Sequence, residues 1–235
     1  MTLELFVEQL QKLYGDALQA VAVYGSTVAG ERIPKRSDTN VLVVVERLEL
    51  ELLRGEGAIA RGWAEAGNPP PITLTAEEWR GSADVFPMEY ADILESHRVV
   101  HGRLPVEGLA VDREHLRLQT ENQALGKLVQ LRRGILAAGG SRRDLVELLA
   151  ASFSTWMVIF RAVARLHGER PPSDYDALTR LVAERAGFDG TPFLRVAAHL
   201  RGTPLPQGEV DGVLAGWLDA GKRLSRHVNA LADGG

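Results

Sequence analysis

The stretch of sequence that decides the fold is residues 24–45, YGSTVAGERIPKRSDTNVLVVV. An apolar run, Leu18–Val23, precedes it, and a second apolar run rich in β-branched valine, Val41–Val45, closes it. Because β-branched residues favour the extended conformation, both runs predict buried strands. The polar groups between them, Gly25-Ser26 and Ser37-Asp38-Thr39-Asn40, are therefore predicted at strand ends.

These polar residues have the chemistry of a phosphate and metal site. A glycine such as Gly25 lets the backbone approach a phosphate closely, and Ser26 adds a hydroxyl donor. Asp38 and Asn40 are two residues apart on an extended segment, so their side chains are predicted on one face. Carboxylate and amide oxygens are the ligands that Mg²⁺ prefers, and two of them beside a third carboxylate could hold the ion against a triphosphate.

The third carboxylate ligand is predicted on a neighbouring strand or helix. Residues 84–90 predict a strand, and Glu89 within it is the first candidate. Asp92, in a predicted helix over 91–97, is the second candidate, and Asp84 is the third.

The whole pattern resembles the signature of the nucleotidyltransferase (polymerase β-like) fold superfamily. That signature is Gly-Ser, a gap of about ten residues that contains a further glycine, then Ser-Asp-x-Asp before a hydrophobic strand, with a third acid on a later strand. Gly25-Ser26, Gly30, Ser37 and Asp38 match it. Asn40 stands where the family has its second aspartate. The layout is similar to that of the aminoglycoside and minimal nucleotidyltransferases, which carry a helical C-terminal domain.

The resemblance implies a reaction and the residues that would perform it. A nucleoside monophosphate would pass from a nucleoside triphosphate, with ATP expected, to a hydroxyl of an unidentified small-molecule or protein acceptor. Gly25, Ser26 and Ser37 would bind the nucleotide. Asp38, Asn40 and Glu89 would be the catalytic residues and would hold Mg²⁺ or Mn²⁺.

Asn40 leaves a second function open. Its amide oxygen can ligate one ion, but it lacks the negative charge with which an aspartate bridges two. The alternative is a catalytically decayed member of the same fold that binds nucleotides or other proteins. Its helical domain would then serve homodimerisation or partner binding.

The remaining sequence predicts an α+β chain of two domains. Residues 1–104 are expected to form a small mixed-sheet domain with the element order α-β-β-α-β-α-β. Gly102–Gly108, with Pro105 inside it, is the predicted boundary. Residues 109–235 read as five helices joined by short links, which is typical of an antiparallel helical bundle with its second helix at the centre.

The composition and the apolar segments of the sequence indicate the cellular compartment of the protein. The chain has 235 residues, of which 45% are hydrophobic and 25% charged, and it has no cysteine. The N-terminus lacks the features of a signal peptide, and the most apolar stretch, Leu148–Phe160, is too short to span a bilayer, so a cytoplasmic protein without a membrane partner is predicted. No dense basic run is present, which argues against a nucleic-acid partner.

Three weaker patterns have simpler explanations. Arg161 and His167 have the spacing of a motif in some helical RNase-like (HEPN) domains, although His167 is also placed as a helix C-terminal residue. Several basic residues surround the first helical hairpin and are read as a solvated rim or as contacts to an anionic acceptor: Lys127, Arg132, Arg133, Arg142 and Arg143. His97 and His101 make a poor metal site without a third ligand.

Overall fold

The computed structural model describes residues 1–25 and 39–232. Ser26, Ser37 and Asp38, which the sequence places in the nucleotide site, lie outside these ranges. The chain divides into two units, Met1–Val111 and Asp112–Gly235.

The first unit contains a mixed sheet of four strands within the described residues. The strands are β1 (Leu18–Tyr24), β2 (Asn40–Val45), β3 (Ile72–Thr75) and β4 (His97–Gly102). Their order is β3-β2-β1-β4. β1 runs antiparallel to both β2 and β4, and β2 runs parallel to β3. The predicted mixed sheet and its first two strands are confirmed.

Helices pack on both faces of this sheet. They are α1 (Leu3–Tyr14), α2 (Leu50–Glu65), α3 (Ala76–Gly81) and α4 (Pro87–Glu95), and a 3-10 turn, Gly15–Ala17, leads into β1. Alternation along β2 sends Val41, Val43 and Val45 into one core with Phe6 and Trp63, from α1 and α2. Leu42 and Val44 enter the opposite core, which also holds Trp79, Tyr90 and Ile93 from α3 and α4.

The prediction of a strand over residues 84–90 is wrong. These residues form a turn and then the start of α4, so Glu89 lies in the first turn of a helix. Pro87 occupies one of the first helical positions, where its missing N–H costs no hydrogen bond. Tyr90 and Ile93 are three residues apart and are both buried against the sheet, which is a helical spacing.

The segment after β4 packs on the core of the first unit. Leu104 is buried in the core that contains Trp79, and Val106, Leu109 and Val111 pack against the same cluster. The indole N–H of Trp79 donates to the carbonyl oxygen of Pro105 at 2.8 Å. These contacts hold the segment after β4 on the first unit.

The second unit is helical. Its helices are α5 (Arg113–Ala138), α6 (Arg142–Leu166), α7 (Tyr175–Ala186), α8 (Thr191–Leu200) and α9 (Val210–Ala230). Side-chain caps start three of them, because Asp112, Ser141 and Asp174 each accept a hydrogen bond from a backbone N–H of the first turn. The α+β class, with a mixed-sheet part followed by a helical part, is confirmed.

Helix α6 is long and apolar enough, by length and composition alone, to cross a membrane. Its side chains give a different reason for this composition. Phe153, Trp156, Ile159 and Phe160 are each at most 1% exposed, and Trp156 and Phe160 both make ring contacts with Phe193 of α8. α6 is therefore apolar because it is the core helix of the second unit. The cytoplasmic setting stays a prediction.

Two histidines join the C-terminal end of α6 to α9. The Nε2 atoms of His167 and His227 lie 2.8 Å apart, and the rings are 20° from parallel with centroids 5.1 Å apart. The two nitrogens therefore point at each other, with one donating and the other accepting. Burial lowers the pKa of both rings; Arg185 lowers the pKa of His167 further, Glu169 opposes this, and Arg113 adds a small decrease.

The His167–His227 pair is expected to make the stability of the second unit sensitive to acid. Unfolded histidine has a pKa near 6.5, so the unfolded chain takes up protons that the folded pair resists. The free energy of unfolding should be level above that pH and should fall as the pH drops from 6.5 through the lower folded-state pKa. Each excess proton bound by the unfolded state contributes a slope of about 1.4 kcal/mol per pH unit.

Chemical denaturation of the His227→Gln variant between pH 7.5 and 5 tests this. The variant should show a shallower loss of stability than the wild type over that range. A matched exchange of the exposed His115 to Gln should keep the wild-type slope. Equal slopes for wild type and His227→Gln would contradict the account.

Candidate active site

The candidate site lies where β1 ends and β2 begins. Gly25 follows β1 with φ +81°, a conformation that side chains other than glycine rarely adopt. A Cβ atom on Gly25 would stand 2.8 Å from Nδ2 of Asn40. The turn therefore needs glycine both for its backbone conformation and for the approach of Asn40.

Strand pairing places Tyr24 directly opposite Asn40. The register of β1 and β2 pairs these two residues, and β4 adds His97 on the other side of Tyr24. Asn40 has the same parity along β2 as Leu42 and Val44, whose side chains enter the core beneath α3 and α4. Tyr24 belongs to that core too, so Asn40 and Tyr24 share a face of the sheet.

The negative charges of two carboxylates of α4 influence the pKa of Tyr24. Burial, together with the negative charges of Glu89 and Asp92, raises the pKa of Tyr24 to about 12. Tyr24 is only 8% exposed, so its hydroxyl stays protonated at neutral pH and can donate to an anionic group. The first two candidates for the third acid thus act electrostatically on the residue that pairs with Asn40.

Asp84, the third candidate, is not among the charges that act on Tyr24. Burial is the main cause that raises the pKa of Tyr90 to about 12; a hydrogen bond with Ser82 lowers this pKa, and the charge of Asp84 raises it. The Tyr90 hydroxyl donates to the carbonyl oxygen of Trp79 at 2.7 Å. Asp84 therefore acts on Tyr90, whereas Glu89 and Asp92 act on Tyr24.

The donor set at this strand end fits a hard divalent cation in its chemistry. Asn40 turns Nδ2 toward Gly25, so Oδ1 is the more distant of its two amide atoms. An amide oxygen and carboxylates are suitable ligands for Mg²⁺. Within residues 1–25 and 39–232, no three His, Cys, Asp or Glu side chains form a group able to hold a metal ion. Asp38, the remaining predicted ligand, lies outside these ranges.

Four histidines and two of the basic residues make contacts that are structural. Nδ1 of His97 lies 2.7 Å from the carbonyl oxygen of Ile93, and Nδ1 of His101 lies 2.7 Å from Nε2 of Gln11. His167 pairs with His227. In the rim of the second unit, Arg142 donates to Asp211 and Arg143 donates to Glu147.

Asn68 fixes the backbone at the start of β2. Its Oδ1 accepts from the N–H of Thr39 at 3.1 Å, and its Nδ2 donates to the carbonyl oxygen of Trp63 at 3.5 Å. Trp63 is 2% exposed and packs against Phe6. Asn68 thereby ties the residue before Asn40 to the core beneath α1 and α2.

Removal of this tie should loosen the strand end. Asn68→Ala leaves the Thr39 N–H without its acceptor, which costs about 1 kcal/mol, and hydrogen exchange of the Thr39 amide should accelerate. Asn68→Asp is the matched control because it keeps the acceptor, so Thr39 exchange should stay close to that of the wild type. Equal exchange in both variants would show that Asn68 does not hold the strand end.

Comparison with solved structures relates this architecture to a known enzyme. Spectinomycin adenyltransferase AAD(9) from Enterococcus faecialis, whose crystal structure contains ATP and spectinomycin, matches with a TM-score of 0.62. The match covers 94% of this chain and 97% of that chain, at 12% sequence identity. The chain has a nucleotidyltransferase-like fold. Comparisons with protein-family models and with curated protein sequences find no match.

Two residues at this strand end are absent from the sequence prediction. Tyr24 could have been found from the alternation Ala20-x-Ala22-x-Tyr24, which places a large polar tip on the Asn40 face after two small residues. Asn68 could not, because nothing in its neighbourhood of prolines indicates a partner 29 residues earlier.

Proposed function

We propose that the protein is a nucleotidyltransferase that moves a nucleoside monophosphate from a nucleoside triphosphate to a hydroxyl of an acceptor molecule. The observation that carries the proposal is the convergence on Tyr24, at the strand end beside the Gly25 turn. Asn40 pairs with Tyr24 across the strands, and Glu89 and Asp92 act on it from α4. The fold shared with an adenyltransferase supports the same reaction class.

The nucleotide would bind along the Gly25 turn. Backbone amides after Gly25, with the hydroxyls of Ser26 and Ser37, would hold the phosphates, since a glycine turn admits close backbone approach. ATP is the proposed donor, because the structural neighbour was crystallised with ATP.

Asp38, Asn40 and Glu89 would hold Mg²⁺ or Mn²⁺. The ion would neutralise triphosphate charge and align the reacting oxygens. Asp92 lies close enough to Tyr24 to exert a charge on it and is the nearest alternative to Glu89. Tyr24, protonated at neutral pH, would donate to one of these carboxylates and keep it in place.

The reaction would be an in-line displacement at the α-phosphorus. The acceptor oxygen forms a bond to the α-phosphorus. The bond from the α-phosphorus to the oxygen that bridges it to the β-phosphorus breaks, and pyrophosphate leaves. The proton of the acceptor hydroxyl passes to whichever of Glu89 and Asp92 does not hold the ion. The acceptor is proposed to be a small hydroxylated molecule or a protein; the neighbour contains spectinomycin.

A non-catalytic nucleotide-binding protein is the second candidate, and Asn40 favours it. A neutral amide replaces an anionic ligand there, and its nitrogen faces the Gly25 turn. Such a site would bind a nucleotide and turn it over slowly or not at all.

Thermal unfolding in the presence of ATP, GTP, CTP or UTP, each with and without Mg²⁺ or Mn²⁺, tests nucleotide binding. A nucleotide at 100 times its Kd should add about 2.7 kcal/mol of stability, which is a shift of several degrees in Tm. A metal-dependent shift is expected with at least one nucleotide. The absence of a shift with all four would overturn both candidate functions.

A further inference from the structure

Helix α5 exposes four large apolar side chains that are outside its contacts with the bundle. Leu118, Leu125, Val129 and Leu136 are 49%, 51%, 43% and 80% exposed. We call these four residues the α5 stripe. Another side of the same helix buries a second set of residues in the second unit: Leu116, Ala124, Leu128 and Leu131. α5 therefore has two apolar faces, and among the described residues of the second unit only one of them is buried.

The α5 stripe is straight. Its members are spaced seven, four and seven residues apart. At 3.6 residues per turn these spacings return to nearly the same side of the helix. The stripe runs for about 27 Å along the helix axis at 1.5 Å per residue.

The spacing of the stripe reads the same from either end. If a second α5 lies antiparallel against it, Leu118 of one copy meets Leu136 of the other, and Leu125 meets Val129. All four apolar side chains are then covered in each copy. A two-fold axis generates this arrangement with the same surface on both subunits, as in most homodimers.

The charges beside the stripe favour the same orientation. Glu114 and Glu121 lie beside its first half, and Arg132 and Arg133 lie beside its second half. The buried Arg117 donates to both Glu114 and Glu121 and holds them in position. Arg117 compensates only one of the two negative charges of Glu114 and Glu121. The surroundings of the first half of the α5 stripe are therefore acidic, and those of its second half are basic.

An antiparallel pair uses this charge gradient. Glu121 and Arg132 lie on the same side of the stripe and nearly equidistant from its centre, so each Glu121 would face Arg132 of the second copy. A parallel pair would instead place acidic halves together and basic halves together, which is unfavourable.

We propose that the α5 stripe is a homodimer interface, with two copies of this chain paired antiparallel along α5. The partner is a second copy because, when the helix is turned end to end, its apolar residues face apolar residues and its acidic residues face basic ones. This inference does not depend on the proposed enzymatic function, since its tests measure mass and cross-linking only.

Sedimentation equilibrium of the full chain is the first test. The wild type should have twice the monomer mass of 25.6 kDa, and Leu125→Lys should be monomeric. Leu53→Lys is the matched control, because Leu53 is 43% exposed on α2, and it should remain dimeric. A monomeric wild type throughout the micromolar range, or a dimer unaffected by Leu125→Lys, would overturn the proposal.

Cysteine cross-linking tests the orientation. The chain has no cysteine of its own, so every disulfide comes from the introduced residues. A mixture of Leu118→Cys and Leu136→Cys proteins should form a covalent dimer on mild oxidation, whereas either variant alone should not. Cross-linking of Leu118→Cys with itself would indicate a parallel pair and contradict the proposal.

Discussion

Asn40→Asp is expected to raise metal-dependent consumption of the nucleoside triphosphate at least about ten-fold, equivalent to about 1.4 kcal/mol in the barrier. The reason is charge. An aspartate at the start of β2 adds a negative ligand beside Gly25 and opposite Tyr24, where it could bridge two ions. The measurement is pyrophosphate release with saturating Mg²⁺ or Mn²⁺.

Without metal, Asn40→Asp should weaken nucleotide binding. A carboxylate placed beside a triphosphate repels it, so metal-free nucleotide affinity should fall below that of the wild type. Asn229→Asp, on the exposed side of α9, changes the net charge equally and should alter neither quantity. If Asn40→Asp changes neither the metal-dependent consumption of the triphosphate nor the metal-free nucleotide affinity, Asn40 does not contact the nucleotide. Turnover by the wild type would exclude the decayed alternative.

Gly25→Ala is expected to weaken nucleotide binding about ten-fold or more, or about 1.4 kcal/mol. The methyl group would stand 2.8 Å from the Asn40 amide, so the amide or the turn must move. The positive φ adds strain of about 1–2 kcal/mol for any residue with a Cβ. Calorimetric titration with the nucleotide selected by the thermal screen measures the loss.

Gly67→Ala separates backbone strain from the local contact. Gly67 has φ +87°, in the same unit, and a Cβ there would meet no atom within 4 Å. Gly67→Ala should lose stability through strain and keep the wild-type Kd. Equal nucleotide affinities in the two variants would remove Gly25 from the proposed binding site.

The first two strands and most helices were predictable because their signals are local. Val41–Val45 is β-branched throughout, and Ser141 and Asp112 precede helices that they cap in the structure. The segment containing Glu89 was not predictable in this way. Val85, Phe86 and Met88 have the composition of a strand, whereas the helix is favoured by Pro87 and by the contacts of Tyr90 and Ile93 with Trp79 across 11 or more residues.

The candidate site was predictable in its residue types but not in its full membership. A glycine after one strand and Asn40 at the start of the next are brought together by ordinary antiparallel pairing. The choice between Asp84, Asp92 and Glu89 depends on how α4 packs on the sheet. In the structure Glu89 and Asp92 act on Tyr24 whereas Asp84 acts on Tyr90, and no periodicity in the sequence contains this information.

The most direct test of the proposed function is an equilibrium titration of ATP into three proteins, each with and without Mg²⁺: wild type, Asp38→Ala and Asp84→Ala. Asp38 is the proposed metal ligand, and Asp84, which acts on Tyr90, is the matched acidic control. We expect Mg²⁺-dependent binding by the wild type and by Asp84→Ala, and its loss in Asp38→Ala. Binding that is indifferent to Mg²⁺ and equal in all three proteins would contradict a metal-dependent nucleotide site at this strand end.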